Sequence, residues 1–261
     1  MTRLPYLLCL VVLVSGCATG PNPQDPLEPM NRKVYAFNKA VDSAAIKPAA
    51  KAYEKVVPRL ARTGVSNFFR NLGMIVTTLN DALQLKCQEV PVDIMRFSAN
   101  LVFGLGGVVD IATELRIPYN QEDFGQTLGY WGVNSGPYLV LPFFGPSTLR
   151  DGAALPVDLY VNPIYDDIRS RELRWGVVGL YVVDTRTNLL GTERFLHQAS
   201  LDEYGFLRDT WLQRREYLVR DGAIQAQSDS VPSADRPKSL LELEEEDFGD
   251  EPMMDNHEPA N

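Results

Sequence analysis

The chain is poor in the residues from which metal and redox centres are built. Its 261 residues include two histidines, His197 and His257, and three cysteines at positions 9, 17 and 87. No His/Cys cluster with metal-ligand spacing can be drawn from them, which argues against a zinc site. A nucleotide-binding loop of the G-x-x-x-x-G-K-[ST] type is absent, as is a G-x-S-x-G nucleophile elbow. A basic stripe is missing too. The formal net charge is −9, but residues 227–261 hold 11 acidic and 2 basic residues, leaving 23 of each sign before them. Such a neutral body is poorly suited to a nucleic-acid backbone. Strand signals are sparse: Val177-Val178 and Val182-Val183 fit a helix beginning near Glu172 equally well, and evenly spaced hairpin signals are lacking, so an all-β barrel is disfavoured.

What is present begins with a targeting segment. Arg3 precedes an apolar stretch from Leu7 to Val14, too short for the ~20 apolar residues of a spanning helix. The ending Val14-Ser15-Gly16-Cys17 resembles the bacterial lipobox. Residues 1–16 are thus expected to be a signal peptide, with Cys17 carrying covalent N-acyl and diacylglycerol groups and no other cofactor. Several acyl chains, at roughly 0.8 kcal/mol per buried methylene, anchor a protein stably. The absence of Asp after Cys17 favours outer-membrane sorting by likeness to Gram-negative lipoproteins. Cys87 would then be the sole thiol, structural or idle, and no intramolecular disulfide could form.

Residues 17–29 read as a lipidated terminus and Pro-rich tether, residues 30–226 as the folded domain, and residues 227–261 as a disordered acidic tail. Helical spacing recurs through the domain. Val34, Phe37, Val41 and Ile46 form one amphipathic run that Pro48 closes, and a second segment lies between Pro48 and Pro58. From Arg59 to Lys86, Val65, Phe68, Phe69, Leu72, Ile75, Val76, Leu79, Leu83 and Leu85 keep helix-compatible steps. From Val92 to Leu115, Ile94, Phe97, Leu101, Leu105, Val108, Ile111 and Leu115 do the same, interrupted by Gly104, Gly106 and Gly107, which point to two helices meeting at a hinge or close-packed joint. Ser200 and Glu203 have capping-box spacing before Tyr204, Leu207, Trp211 and Leu218.

The 25 residues from Gly125 to Leu149 carry no charge, yet five Gly and three Pro interrupt them. Interior Pro costs about 3 kcal/mol in a helix. Because irregular backbone at membrane depth is tolerated only under protein cover or beside a polar cavity, an irregular apolar lining is expected rather than a span. Tyr138, Leu139, Leu141, Phe143 and Phe144 supply a surface fit for a core or for acyl chains. Tyr119, Tyr130 and Trp131 suit either a membrane interface or a core.

Separated motifs, in order, carry a family likeness. Asp25-Pro26-Leu27-Glu28, Asn31-Arg32, Phe37-Asn38, Ser66-Asn67-Phe68, Asp123-Phe124-Gly125-Gln126-Thr127-Leu128-Gly129, Gly136-Pro137-Tyr138, Leu141-Pro142 and Arg150-Asp151 resemble the MlaA (VacJ) family of outer-membrane lipoproteins from Asp25 to Gly222. Pro29-Met30 departs from the Gly-Phe often found there. The resemblance implies a mostly α, ring-like, membrane-embedded single domain in the inner leaflet of the outer membrane, beside a porin trimer. It would take phospholipids misplaced in the outer leaflet and pass them to the periplasmic Mla lipid carrier, without being an enzyme.

Such a passage needs an apolar wall for tails and a polar stripe for heads. The wall is expected from Tyr138, Leu139, Leu141, Phe143 and Phe144. Arg174, ahead of the apolar run Trp175 to Val183, is expected to approach the phosphate or else to snorkel at the surface. Two rivals stand beside this reading: a structural envelope lipoprotein that bridges membrane components, and a lipid hydrolase using Ser135 and His197, which needs a nucleophile and a base.

Overall fold

Helix dominates, as the apolar spacing predicts, and the fold is mostly α. The computed structural model describes Asn22 and residues 24–165, 170–192 and 202–222. Contacts divide the chain into a unit ending at Val219 and a second beginning at Arg220. Of the second, only residues 220–222 are described, a turn with Asp221 and Gly222 at positive φ. The lipobox, Cys17, His197, Ser200 and the acidic tail lie outside the described residues.

Helix α1 (Glu28–Val41) starts with Pro29 in its first turn, where the missing N–H has no partner to lose. Folding begins before Asn31, contrary to the expected tether: Asp25 and Leu27 are already buried. Nor does Pro48 close the first run. A π-helical segment (Asp42–Ile46) continues α1 and leads directly into α2 (Lys47–Val56), with the Lys47 N–H donating to the Asp42 carbonyl. This places Pro48 at the start of a new helix, where proline is tolerated.

Helix α3 (Arg59–Leu83) is the longest described, and α4 (Glu89–Val102) packs along it. A glycine-containing loop then leads to the single turn α5 (Ile111–Glu114), matching the expected joint. Helix α6 (Phe124–Tyr130) packs on α7 (Leu149–Val161), while α8 (Arg171–Asn188) lies against α2 and α3, and α9 (Glu203–Val219) contacts α6.

The uncharged segment is more regular than its composition suggests. It holds α6 and an antiparallel hairpin of β1 (Tyr138–Leu141) and β2 (Gly145–Thr148), in register Tyr138↔Thr148 to Leu141↔Gly145. The three-residue loop Pro142–Phe144 closes it with Phe143 at φ 67° and Gly145 at φ 82°. This is hairpin chemistry, with glycine supplying the second left-handed position. The hairpin's inner face, Tyr138 and Val140, packs with Tyr204, Val34, Tyr35, Trp211 and Leu212, joining α1 to α9.

Candidate functional site

The two faces of α3 and α4 are exchanged relative to a water-soluble helix pair. Their buried positions include Asn71, Thr77, Asn80, Asp81, Asp93, Arg96 and Asn100. Phe69 and Val76 of the expected apolar stripe are buried, but much of the rest faces outward: Leu79, Leu83, Ile94, Leu101 and Leu115 are exposed, and Leu105 retains 78% of its accessible surface. Phe103, Val108 and Val109 extend this surface along the α4–α5 loop, and Leu60 at the start of α3 is 88% exposed. Among the described residues no helix is long and apolar enough to cross a membrane.

The buried polar groups form connected networks, as burial demands. Arg96 Nη1 donates to the Ile117 carbonyl at 2.6 Å, while Nη2 reaches Asp110 Oδ2 at 2.9 Å and Thr113 Oγ1 at 2.7 Å. Asp110 also caps α5, and Asn100 Oδ1 receives the Ala112 N–H. Burial opposes ionisation of Asp110, but hydrogen bonds from Thr113 and the Arg96 charge hold its carboxyl below the usual range. Gln84 Nε2 donates to Glu122 and Thr127, Lys86 Nζ donates to Glu122 at 3.0 Å, and Thr127 Oγ1 donates to Asn80 at 2.7 Å. Burial, the leading cause, raises the Glu122 carboxyl.

One pair is short of donors, with only Asp81 Oδ2 supplied, by Asn120 Nδ2 at 2.8 Å. Asp81 on α3 and Asp93 on α4 are both buried, and neither Asp93 oxygen nor Asp81 Oδ1 has a hydrogen-bond partner. Burial first, then the neighbouring Asp81, pushes the Asp93 carboxyl up to about 8, so it carries a proton at neutral pH. Among the described residues, no group of three or more His, Cys, Asp or Glu is placed to hold a metal.

The Asp123–Gly129 motif has a structural explanation. Asp123 caps α6 through the Gln126 N–H and accepts two 2.6 Å bonds from Arg215 of α9. Arg215 also reaches Asp151 at 2.9 and 3.0 Å, and Arg150 Nε donates to the same carboxylate at 2.8 Å. A Cβ at Gly125 would lie 2.5 Å from both Arg215 and Asp151, and one at Gly129 would lie 2.6 Å from Arg150. These glycines let two guanidinium groups cross the helix.

The proposed passage residues fall in three places. Tyr138 leaves the wall: it is 1% exposed, because the pleat turns it into the α1–α9 core. Leu139 and Leu141 alternate with it on the half-buried face, and Phe143 and Phe144 are exposed at the hairpin tip. Asn38 secures that tip, donating to the Leu141 carbonyl and accepting the Phe143 N–H, both at 2.9 Å, and Phe37 meets the Phe143 ring edge-on at 5.4 Å. Arg174 sits on α8, not on the hairpin's supporting helices, and its Nη1 reaches the Tyr165 carbonyl at 3.5 Å.

Gly104, Gly106 and Gly107 occupy the loop over α3. A Cβ at Gly104 would meet the Val109 and Asn100 carbonyl oxygens at 2.1 and 2.4 Å, and one at Gly107 would meet Asn71 at 2.8 Å. Close packing describes these two, whereas Gly106 has open space and a φ of 74°. Trp131 is exposed yet donates to the Leu83 carbonyl at 3.0 Å. Tyr130 is exposed as well, and Tyr119 lies under Arg70 and Arg96. Ser135 is exposed in the loop before β1 and Cys87 is an exposed thiol. The buried polar seam was missed because its signal, polar residues opposite an apolar stripe, is also that of a solvated helix face.

Known proteins are similar to this chain in sequence and fold. A family model described as MlaA lipoprotein matches residues 23–218. The intermembrane phospholipid transport system lipoprotein MlaA of Escherichia coli (strain K12) is 34% identical over 234 residues, covering 86% of this chain and 92% of that protein. The Haemophilus influenzae protein of the same name is 34% identical over 244 residues, covering 88% and 95%. A solved structure concerned with the structural basis for maintenance of bacterial outer membrane lipid asymmetry aligns with a TM-score of 0.63 at 33% identity, covering 75% of this chain and 98% of that one.

Proposed function

The chain belongs to the MlaA lipoprotein family, and from that premise we propose that it removes mislocalised phospholipids from the outer leaflet of the outer membrane and passes them to a periplasmic carrier. The observation that carries this reading is the exchange of faces on α3 and α4. Apolar residues cover much of the outside, and charged and amide side chains occupy much of the inside. In water such an exterior is unfavourable by about 25 cal/mol per Å² of apolar area, and in a leaflet that penalty disappears. With no spanning helix among the described residues, the domain lies within one leaflet, held there by acyl groups on Cys17 and flanked by a porin trimer. Lipid tails run over exposed Phe143 and Phe144, with Leu139 and Leu141 behind them. No bond is made or broken in this process, so a nucleophile is not required.

The decisive measurement is outer-leaflet phospholipid in intact cells, read by accessibility to an added phospholipase. Deletion of the gene is expected to raise the signal and the wild-type gene to restore it, whereas Cys17→Ala is expected to fail. An unchanged signal on deletion would overturn the proposal and favour a structural envelope lipoprotein.

A further inference from the structure

Between α3, α4 and the segment at Tyr119 lies a recess with no role in the networks or the hairpin tip. It is a shallow depression open to solvent, lined in part by Asn67, Arg70, Asn71, Arg96, Asp110 and Tyr119. A head group resting against it would keep its tails outside.

We infer that this recess holds the phosphodiester head of a glycerophospholipid, with Arg70 as its cation. The inference rests on the lipid-handling reading and gives that reading a place. Two arginines and one aspartate leave one net positive charge, matching a phosphodiester monoanion. Arg96 is committed to Ile117, Asp110 and Thr113. Arg70 is not: its side chain is 42% exposed, its guanidinium carbon lies 5.8 Å from the Tyr119 ring centroid, and its only ion pair is a loose 3.6 Å contact with Asp110. Among the described residues it makes no hydrogen bond, so its planar fork of donors is available to phosphate oxygens. Arg70 therefore replaces Arg174 as the better-placed cation.

A second group points the same way. Asn71 is buried, and its Oδ1 has no hydrogen-bond partner. A buried orphan acceptor calls for a donor, such as the ammonium or hydroxyl that follows the phosphate in common head groups. The tails also have a bed. Gly107 packs on Asn71, and Asn67 Nδ2 donates to the Val108 carbonyl at 3.1 Å, so the exposed loop bearing Leu105, Val108 and Val109 adjoins the recess.

The test uses the full-length lipidated protein in detergent, titrated by native mass spectrometry with phosphatidylglycerol or phosphatidylethanolamine, and separately with inorganic phosphate as competitor. Wild type is expected to bind the phospholipids, with inorganic phosphate a poor competitor because it lacks tails. Arg70→Gln is expected to weaken binding by about tenfold or more, the worth of a charge-assisted hydrogen bond. Arg70→Lys should recover part of it, keeping the charge without the fork. Leu105→Glu, on an exposed side chain, should weaken phospholipid binding independently of Arg70.

Equal phospholipid binding by folded Arg70→Gln and wild type would overturn this inference while leaving the lipid-handling proposal standing. Displacement by inorganic phosphate at matching concentration would overturn it in favour of a free-phosphate site. No phospholipid bound by wild type would count against both readings.

Discussion

The hairpin end and the α3–α4 pair solve burial in opposite ways. At the hairpin, Tyr138, Val140 and Tyr204 form an apolar core, with exposed phenylalanines at the tip only. Along α3 and α4, the buried positions go largely to Asn, Asp, Thr and Arg, and the apolar residues look outward. Hydrophobic burial stabilises the first region directly. The second is held by hydrogen-bond networks that lose their worth if one partner is removed, because the remaining group stays desolvated. The same helical periodicity thus serves two solvents.

The comparison breaks most sharply at Arg215. This side chain ties Asp123 to Asp151, and burial of Asp151 is tolerated because hydrogen bonds and charge from Arg215 and Arg150 keep its carboxyl low. Arg215→Ala is expected to cost about 3 kcal/mol, because buried Asp151 keeps only Arg150 and the partly exposed Asp123 loses its partner. Arg215→Lys should recover only part. Thermal unfolding of the detergent-solubilised protein measures both, and a loss below about 1 kcal/mol would show that the network is dispensable.

A smaller effect sharpens the comparison through pH. Asp93 faces Asp81 from α3, with Glu89 and Glu122 adding negative charge and Lys86 Nζ 3.8 Å from Asp81 Oδ1. Since its carboxyl titrates near 8 in the fold against an ordinary value of 3.8, the folded state holds a proton that the unfolded chain releases. The stabilisation is fully present below about pH 4, declines as pH rises, and is lost through about pH 8. Asp93→Asn should flatten this slope and stabilise the protein at pH 9 by about 2 kcal/mol, with little difference at pH 4. Parallel pH profiles for the two proteins would remove Asp93 from the account.

These faces also explain what the sequence could reveal. Helix positions were legible because periodicity reports an amphipathic surface whatever lies against it. Its direction was not: Leu101 and Leu105 keep the same spacing whether they meet protein or lipid. Asp93 and Arg96, opposite that stripe, carry the same signal as a solvated face. The hairpin was obscured by a different cause, since the proline and glycine of Pro142–Gly145 also signal irregular chain, and only the cross-strand register distinguishes the two. Among the proposed passage residues, Tyr138 is turned into the core by one step of pleat, whereas Phe143 and Phe144 are exposed at the hairpin tip. Arg70 carried no motif, and its prominence comes from Tyr119 and Asp110, brought beside it by the fold.

The smallest expected effect on folding belongs to the outward face. Leu60 and Phe103 are 88% and 72% exposed, so Leu60→Ser and Phe103→Ser should shift stability in detergent by less than about 0.5 kcal/mol. Their membrane effect should be larger, because each removes apolar area that a leaflet would cover at about 25 cal/mol per Å². Measured without the acyl anchor, as double changes with Cys17→Ala, both should bind phospholipid vesicles more weakly than Cys17→Ala alone. If vesicle binding is unchanged while stability also holds, these side chains do not touch lipid, and the exposed face of α3 and α4 must be covered by protein instead.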